Sequence, residues 1–245
     1  MGDTAIETAP WMKERTFETY YYRDTFLHCM NNGSKWITMP LPRYDYEGIK
    51  IADTEINEVI NQDPILDGAA VLKYGKDIFF SGGSSHNKLG EQWLKNNFPN
   101  YRYHNLDKTF TGHLDAHLNI IRPGLLYTYH HKDKLPEYFQ NWDIISASPE
   151  QDKNLMKKQI LIDDKIQDDD FENTVLCINS LVINPNTIMI PNFYKSNVEL
   201  MKQFEKNKVN VVFTTLSYQH FFGQGLTCMT LELSRETNGL IDYTK

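Results

Sequence analysis

The sequence predicts an α/β fold built from repeated ββαβ units. Two observations carry this expectation. Strand, turn, strand, helix and strand follow in that order three times. The hairpin turns, at Gly75, Gly124 and Pro185, lie about 50 to 60 residues apart. Units of this kind cannot bury their faces alone and must pack against neighbours. An α/β domain with accidental regularity is the competing reading.

In the first unit, 69–74 reads as a strand, Gly75-Lys76 as a tight turn and 77–80 as an apolar return strand. Leu89, Trp93 and Leu94 recur at helical spacing within 87–98, and 101–106 closes the unit as a strand. The second unit comprises 117–121, the Arg122-Pro123-Gly124 turn, 125–129, a short helix over 135–142 and a strand over 143–147. The third comprises 175–183, the Asn184-Pro185-Asn186 turn, 187–190, a helix over 197–206 and a strand over 209–215. The chain opens mid-unit, with a short strand at 4–8, a long helix over 13–30 and a strand at 35–39. It ends on an apolar strand over 226–233. The charged stretch 150–170 reads as a solvated insertion. One domain spanning 1–245 is expected.

Composition excludes several classes. The chain has 245 residues, 40% apolar and 23% charged, an ordinary globular composition that rules out wholesale disorder. Its net charge of −7 argues against nucleic-acid binding. No apolar run approaches the roughly 20 residues of a membrane-spanning helix. Three widely spaced cysteines, Cys29, Cys177 and Cys228, without a CxxC pair, suit neither a disulfide framework nor a structural zinc site. A cytoplasmic protein with free thiols is expected.

Equivalent loops of like units point at one axis, which selects three segments. Asp67 precedes the first strand of one unit (Pro64-Ile-Leu-Asp-Gly-Ala), and His113 and Asp115 stand at the matching place in the next (Gly112-His-Leu-Asp-Ala). Cys228 follows Gly223 and Gly225 near the start of the last strand. A thiol, a histidine and two carboxylates suit covalent catalysis, with His as general acid and base. The carboxylates also match the planar fork of a guanidinium. Each residue has a plainer reading. Cysteines on apolar strands are usually small core residues, as expected for Cys29 and Cys177. Glycines at 223 and 225 set Cys228 apart, because backbone there can approach a ligand closely. His113, Asp115 and His117 alternate as metal ligands on a strand would, but the spacing alone is a weak signal. The Gly82–Gly90 segment lacks P-loop spacing, and a helix cap by Asn or Ser explains it better. His130-His131 reads as turn surface.

Four separated motifs, in colinear order over nearly the whole chain, resemble the glycine amidinotransferase family. They are Asp67-Gly-Ala-Ala-Val-Leu-Lys-Tyr, Asn87-Lys-Leu-Gly-Glu-Gln-Trp-Leu, His113-Leu-Asp-Ala-His-Leu-Asn-Ile-Ile-Arg-Pro-Gly and Gly225-Leu-Thr-Cys-Met-Thr-Leu-Glu-Leu. Ala9-Pro10, the arginine- and aromatic-bearing segment after it, and Gly33-Ser-Lys-Trp36 are also similar to that family. The resemblance implies a pentein-type α/β propeller, five ββαβ units around a pseudo-symmetry axis. It implies transfer of the amidino group of L-arginine to an acceptor amine, releasing L-ornithine, with no cofactor and no metal. The nucleophile would be Cys228, the acid–base group His113, and the acids that hold arginine Asp67 and Asp115. A homodimer is implied as well.

The sequence also departs from the family. Those chains carry a further N-terminal part that completes the ring and supplies another substrate-binding acid, so an incomplete ring is expected here. Thr227 stands where glycine amidinotransferases have histidine, and Phe110-Thr111-Gly112 replaces a more polar segment. The acceptor is therefore open, and a larger amine than glycine is admissible. Two other readings compete: a guanidine hydrolase similar to arginine deiminase, and an inactive incomplete ring that binds a partner.

Overall fold

The structure is a computed structural model that describes residues 1–43, 62–83, 85–148, 178–215 and 225–232. The expected insertion at 150–170, Cys177 and Gly223 lie outside the described residues. The described residues fall into two compact units, one within Met1–Leu114 and one within Asp115–Glu236.

The first unit opens with strands β1 (Thr4–Glu7) and β2 (Lys35–Thr38), paired in parallel with Ala5 opposite Trp36. The chain between them corrects the expected long helix. It forms 3-10 turns at Lys13–Arg15 and Glu18–Tyr22, and only Arg23–Asn31 is α-helical (α1). The Lys13 carbonyl accepts from the Thr16 amide at 3.1 Å, the i+3 bond of a 3-10 turn, and from the Thr16 hydroxyl at 2.7 Å.

Strands β3 (Val71–Tyr74), β4 (Asp77–Phe80) and β5 (Arg102–Asn105) follow, with helix α2 (Lys88–Asn97) before β5. The first pair is antiparallel, Tyr74 opposite Asp77, and the second parallel, Asp77 opposite Arg102. Gly75 takes φ +56° in the turn, a conformation that costs a residue with a Cβ. Every residue of β4 is buried, so it reads as a continuous apolar run rather than an alternation. Its one charged residue, Asp77, accepts from Arg102 Nε at 2.8 Å and Nη2 at 2.6 Å. Ile78, Phe80 and Leu94 close the core with Ala9, Met39 and Leu66.

The second unit repeats the pattern twice. Strands β6 (Asn119–Arg122), β7 (Leu125–Thr128) and β8 (Asp143–Ser146) have the same antiparallel-then-parallel order. The short helix expected between β7 and β8 is reduced to 3-10 turns at Lys132–Lys134 and Glu137–Phe139. Strands β9 (Leu181–Asn184), β10 (Thr187–Pro191) and β11 (Asn210–Thr214) enclose helix α3 (Val198–Lys206). Phe204 and Leu200 of α3 pack with Tyr127, Ile145, Ile188 and Ile190 in one core. Gln203 accepts from the Ser146 amide at 2.8 Å and donates to its carbonyl at 3.3 Å, which satisfies backbone at the end of β8. Arg122 ties the two hairpins together through the Pro185 carbonyl at 3.0 Å and the Asn207 carbonyl at 2.6 Å.

The expected last strand at 226–233 is corrected over its described part. Residues 226–229 form a turn, in which the Thr230 amide donates to the Thr227 carbonyl at 3.2 Å. Asn179 captures the amides of Leu226, Thr227 and Cys228, which removes them from any sheet ladder. No helix among the described residues is long and apolar enough to cross a membrane.

Candidate active site

In the first unit, Asp67 caps the 3-10 turn Gly68–Ala70. Its Oδ1 accepts from the Ala69 amide at 3.2 Å, which fixes the carboxylate. Its own amide donates to the Ser85 carbonyl at 2.7 Å. The residue is 6% exposed, so an unpaired charge here would be costly. Two cationic or basic groups approach Oδ2: the Arg15 guanidinium through Nη1, and His113 Nε2 at 3.8 Å. Arg15 presents its other edge to Glu18, Nε at 2.7 Å and Nη2 at 2.9 Å, a bidentate fork. Glu18 first, and Asp67 with it, hold the Arg15 pKa above its ordinary value against the effect of burial. His113 follows a segment anchored by the Gly112 amide on the Gly82 carbonyl at 2.8 Å and by the Ser81 hydroxyl on the Gly112 carbonyl.

In the second unit, Asp115 lies in the 3-10 turn Leu114–Ala116, and Cys228 in the turn after Gly225. The Cys228 thiol donates to Asp115 Oδ2 at 3.7 Å. Asn179 links them. Its Oδ1 accepts from the Thr227 amide at 2.8 Å and the Cys228 amide at 3.2 Å. Backbone amides can only donate, so this oxygen is identified and Nδ2 must face the other way. There it donates to Asp115 Oδ2 at 2.8 Å and lies 3.1 Å from Cys228 Sγ. Cys228 is exposed at the surface, yet partial shielding of its sulfur from water, and then the Asp115 carboxylate, raise its pKa; donors at Gly225 and Asn179 act in the opposite direction.

Gly225 acquires a reason different from the expected approach to a ligand. A Cβ there would stand 2.4 Å from the Asn179 side chain, so the glycine lets the Cys228 turn close onto Asn179. Asn119 supports the same place, donating through Nδ2 to the carbonyls of Ile178 at 3.0 Å and Ser180 at 2.6 Å.

Asp67 and His113 are thus brought together in one unit, and Asp115 and Cys228 in the other. Arg15 and Asn179 were not singled out by sequence. The signal for Asn179 is a polar pair, Asn179-Ser180, inside an apolar run, since a buried amide needs partners. Other expectations are corrected. His113, Asp115 and His117 do not share a strand face, because Leu114–Ala116 is a 3-10 turn. His117 Nδ1 instead lies 3.0 Å from His130 Nε2 and 2.9 Å from the Tyr129 hydroxyl. His130 is half-buried rather than turn surface, and burial first, then His117, pull its pKa down to about 4. Cys29 is half-buried on α1. Phe110 is fully buried and serves packing, while the Thr227 hydroxyl donates to the Ser180 carbonyl at 3.0 Å. Asn87, as expected for the Gly82–Gly90 segment, caps α2. Among the described residues, no three His, Cys, Asp or Glu side chains gather as metal ligands would.

No protein-family profile matches the chain. It is 27% identical over 241 residues to inosamine-phosphate amidinotransferase 1 of Streptomyces griseus, covering 96% of this chain and 65% of that protein. It is 31% identical over 158 residues to L-arginine:L-lysine amidinotransferase of Pseudomonas savastanoi pv. phaseolicola, covering 60% of this chain and 44% of the relative. The chain therefore spans about two thirds of the length of the first of these relatives, and less of the second. Among solved structures, inosamine-phosphate amidinotransferase StrB1 from Streptomyces griseus superposes with a TM-score of 0.74 at 24% identity, over 98% of this chain and 67% of that one. The pentein-type α/β fold expected from the sequence is the fold of this chain, and along nearly its whole length what the chain is similar to is the amidinotransferases.

Proposed function

We propose that this chain acts as an amidinotransferase, moving the amidino group of L-arginine to an acceptor amine through a covalent intermediate on Cys228. The observation that carries the reading is the Cys228 thiol, held by an amide donor at 3.1 Å and a carboxylate at 3.7 Å. It stands in a chain similar to amidinotransferases throughout. Asp67 and Asp115 are the acids assigned to the guanidinium, whose fork pairs with carboxylates.

In the free protein partial withdrawal of the sulfur from water and the Asp115 carboxylate both push the thiol pKa up. A guanidinium paired with Asp115 offsets that carboxylate's charge and favours the thiolate, so the nucleophile forms when arginine is bound. The thiolate attacks the guanidinium carbon and forms a C–S bond. The bond from that carbon to the side-chain nitrogen of arginine then breaks. His113 gives its proton to that nitrogen, and ornithine leaves. The acceptor amine attacks the S-amidino carbon and loses a proton to His113. The C–S bond breaks, restoring the thiolate and releasing the guanidino product. Two half-reactions of this kind give ping-pong kinetics. The relatives named for inosamine-phosphate, lysine and glycine keep the acceptor open, and with Thr227 in place of histidine a larger amine than glycine is admissible.

Incubation with L-arginine and hydroxylamine, a small generic acceptor, tests the reading. Ornithine and hydroxyguanidine in equal amounts are expected, and Cys228→Ala should abolish both while remaining folded. Citrulline instead would assign the chain to guanidine hydrolysis. Unchanged turnover in Cys228→Ala would overturn the nucleophile, and absence of any product from folded chain would favour a binding role.

A further inference from the structure

We propose that Asn179 is the positioning residue of the nucleophile, holding the Cys228 turn with its oxygen and presenting its nitrogen to both the thiol and Asp115. The inference rests on Cys228 being the nucleophile of the proposed reaction. The geometry uses every hydrogen-bonding position on one carboxamide. Oδ1 collects the amides of Thr227 and Cys228, at 2.8 and 3.2 Å, and so fixes where the Cys228 side chain begins. Nδ2 reaches Asp115 Oδ2 at 2.8 Å and Cys228 Sγ at 3.1 Å. The Asn179 carbonyl accepts from Leu226 at 2.9 Å, so the turn is held from both backbone and side chain. At 4% exposure the amide does not exchange these partners for water. Gly225 packs so closely that no side chain fits between the turn and Asn179.

The consequence is chemical as well as structural. A neutral donor aimed at sulfur favours the thiolate over the thiol. The same donor on Asp115 shares that carboxylate's negative charge, which otherwise opposes ionisation of the thiol at 3.7 Å. Asn179 therefore lets a thiol and a carboxylate stand side by side with both available to a cation. A residue that only supported the fold would leave the ionisation of Cys228 unchanged when replaced.

The test follows alkylation of Cys228 by iodoacetamide against pH in the intact chain. Peptide-resolved mass spectrometry separates it from Cys29 and Cys177. No arginine is needed, so the result stands whether or not amidino transfer is observed. In Asn179→Asp the side-chain oxygen that accepts from the Thr227 and Cys228 amides remains and the Nδ2 donor is lost; in Asn179→Ala both are lost without added charge. Both variants should move the alkylation midpoint upward by about one pH unit, an approximately tenfold slower reaction at fixed pH below the midpoint. Asp115→Asn should move it downward. Gly225→Ala, which displaces the amide without removing it, should shift it upward. An unchanged midpoint in folded Asn179→Ala overturns the proposal. The wild-type chain supplies an independent reading if variants do not fold. The Asn179 side-chain amide resonance should titrate with the Cys228 midpoint and lose that titration in Cys228→Ala. An amide resonance that stays still through the thiol titration also overturns it.

Discussion

Arg15 shows how one side chain can set the charge of a site. Its guanidinium bridges Glu18, which is exposed, and Asp67, which is not. Removing it leaves a buried carboxylate with, among the described residues, the Ala69 amide and the His113 imidazole at 3.8 Å, whereas removing Glu18 leaves a cation that water can reach. Arg15→Ala is therefore expected to destabilise the chain by about 1.5–3 kcal/mol, the range for a hydrogen bond to a charged group. Glu18→Ala should cost less than about 1 kcal/mol, as for an exposed pair. Denaturant unfolding of the two variants measures the difference, and equal costs would mean that Asp67 does not depend on Arg15. At this scale the sequence reveals residue types better than partners. Asp67, His113, Asp115 and Cys228 can be singled out by their residue types and by their places in the loops that precede strands. Arg15 cannot, because nothing in its neighbours shows that a segment 52 positions away turns back to it. Asn179 is half legible: a polar residue in an apolar run announces a partner but not which one.

The same division holds for the elements. Hairpins were readable because glycine and proline turns interrupt short apolar runs, and β3–β4, β6–β7 and β9–β10 fall where those turns place them. The segments at 13–30 and 226–233 depart from their apolar spacing: the first breaks into 3-10 turns before α1, and in the second Asn179 takes amides that a strand would pair. Caps gave a more reliable signal and allow a quantitative comparison. Asn197 accepts from the Leu200 amide at 3.0 Å and so caps α3. Asn87 caps α2 through Gly90 at 2.8 Å, accepts from Ile65 at 3.1 Å and donates to the Asp63 carbonyl at 2.7 Å. Asn197→Ala should therefore cost about 1 kcal/mol, and Asn87→Ala about 2–3 kcal/mol, because it also strips the chain that leads into Asp67. Thermal unfolding of both variants decides this. A cost at Asn87 no larger than at Asn197 would show that the 63–65 segment is held by other contacts.

At the scale of the whole molecule, repetition made the fold legible. Each ββαβ unit alone is an ordinary motif, and only three in register along the chain select an architecture. What repetition conceals is that like units carry different buried titratable groups, and these divide the response to acid. In the second unit, His130 has its pKa lowered from about 6.5 to about 4, by burial and then by His117. Between those values the unfolded chain binds a proton that the folded chain refuses. The contribution of His130 is thus complete above pH 6.5 and lost as pH falls toward 4. In the first unit, Glu91 is buried, which alone would raise its pKa, but bonds from His86 and Lys95 outweigh burial and lower it below 4.5. Its contribution is complete above 4.5 and is lost only as pH falls through the lowered value. Melting temperatures of the wild-type chain should therefore begin to fall below about pH 6.5, a fall that His130→Gln flattens down to about pH 4.5. Glu91→Gln should leave that fall intact and flatten the decline at lower pH. Should His130→Gln follow the wild-type curve point for point, the first loss of stability belongs to some group other than His130, and the pairing with His117 has no part in it.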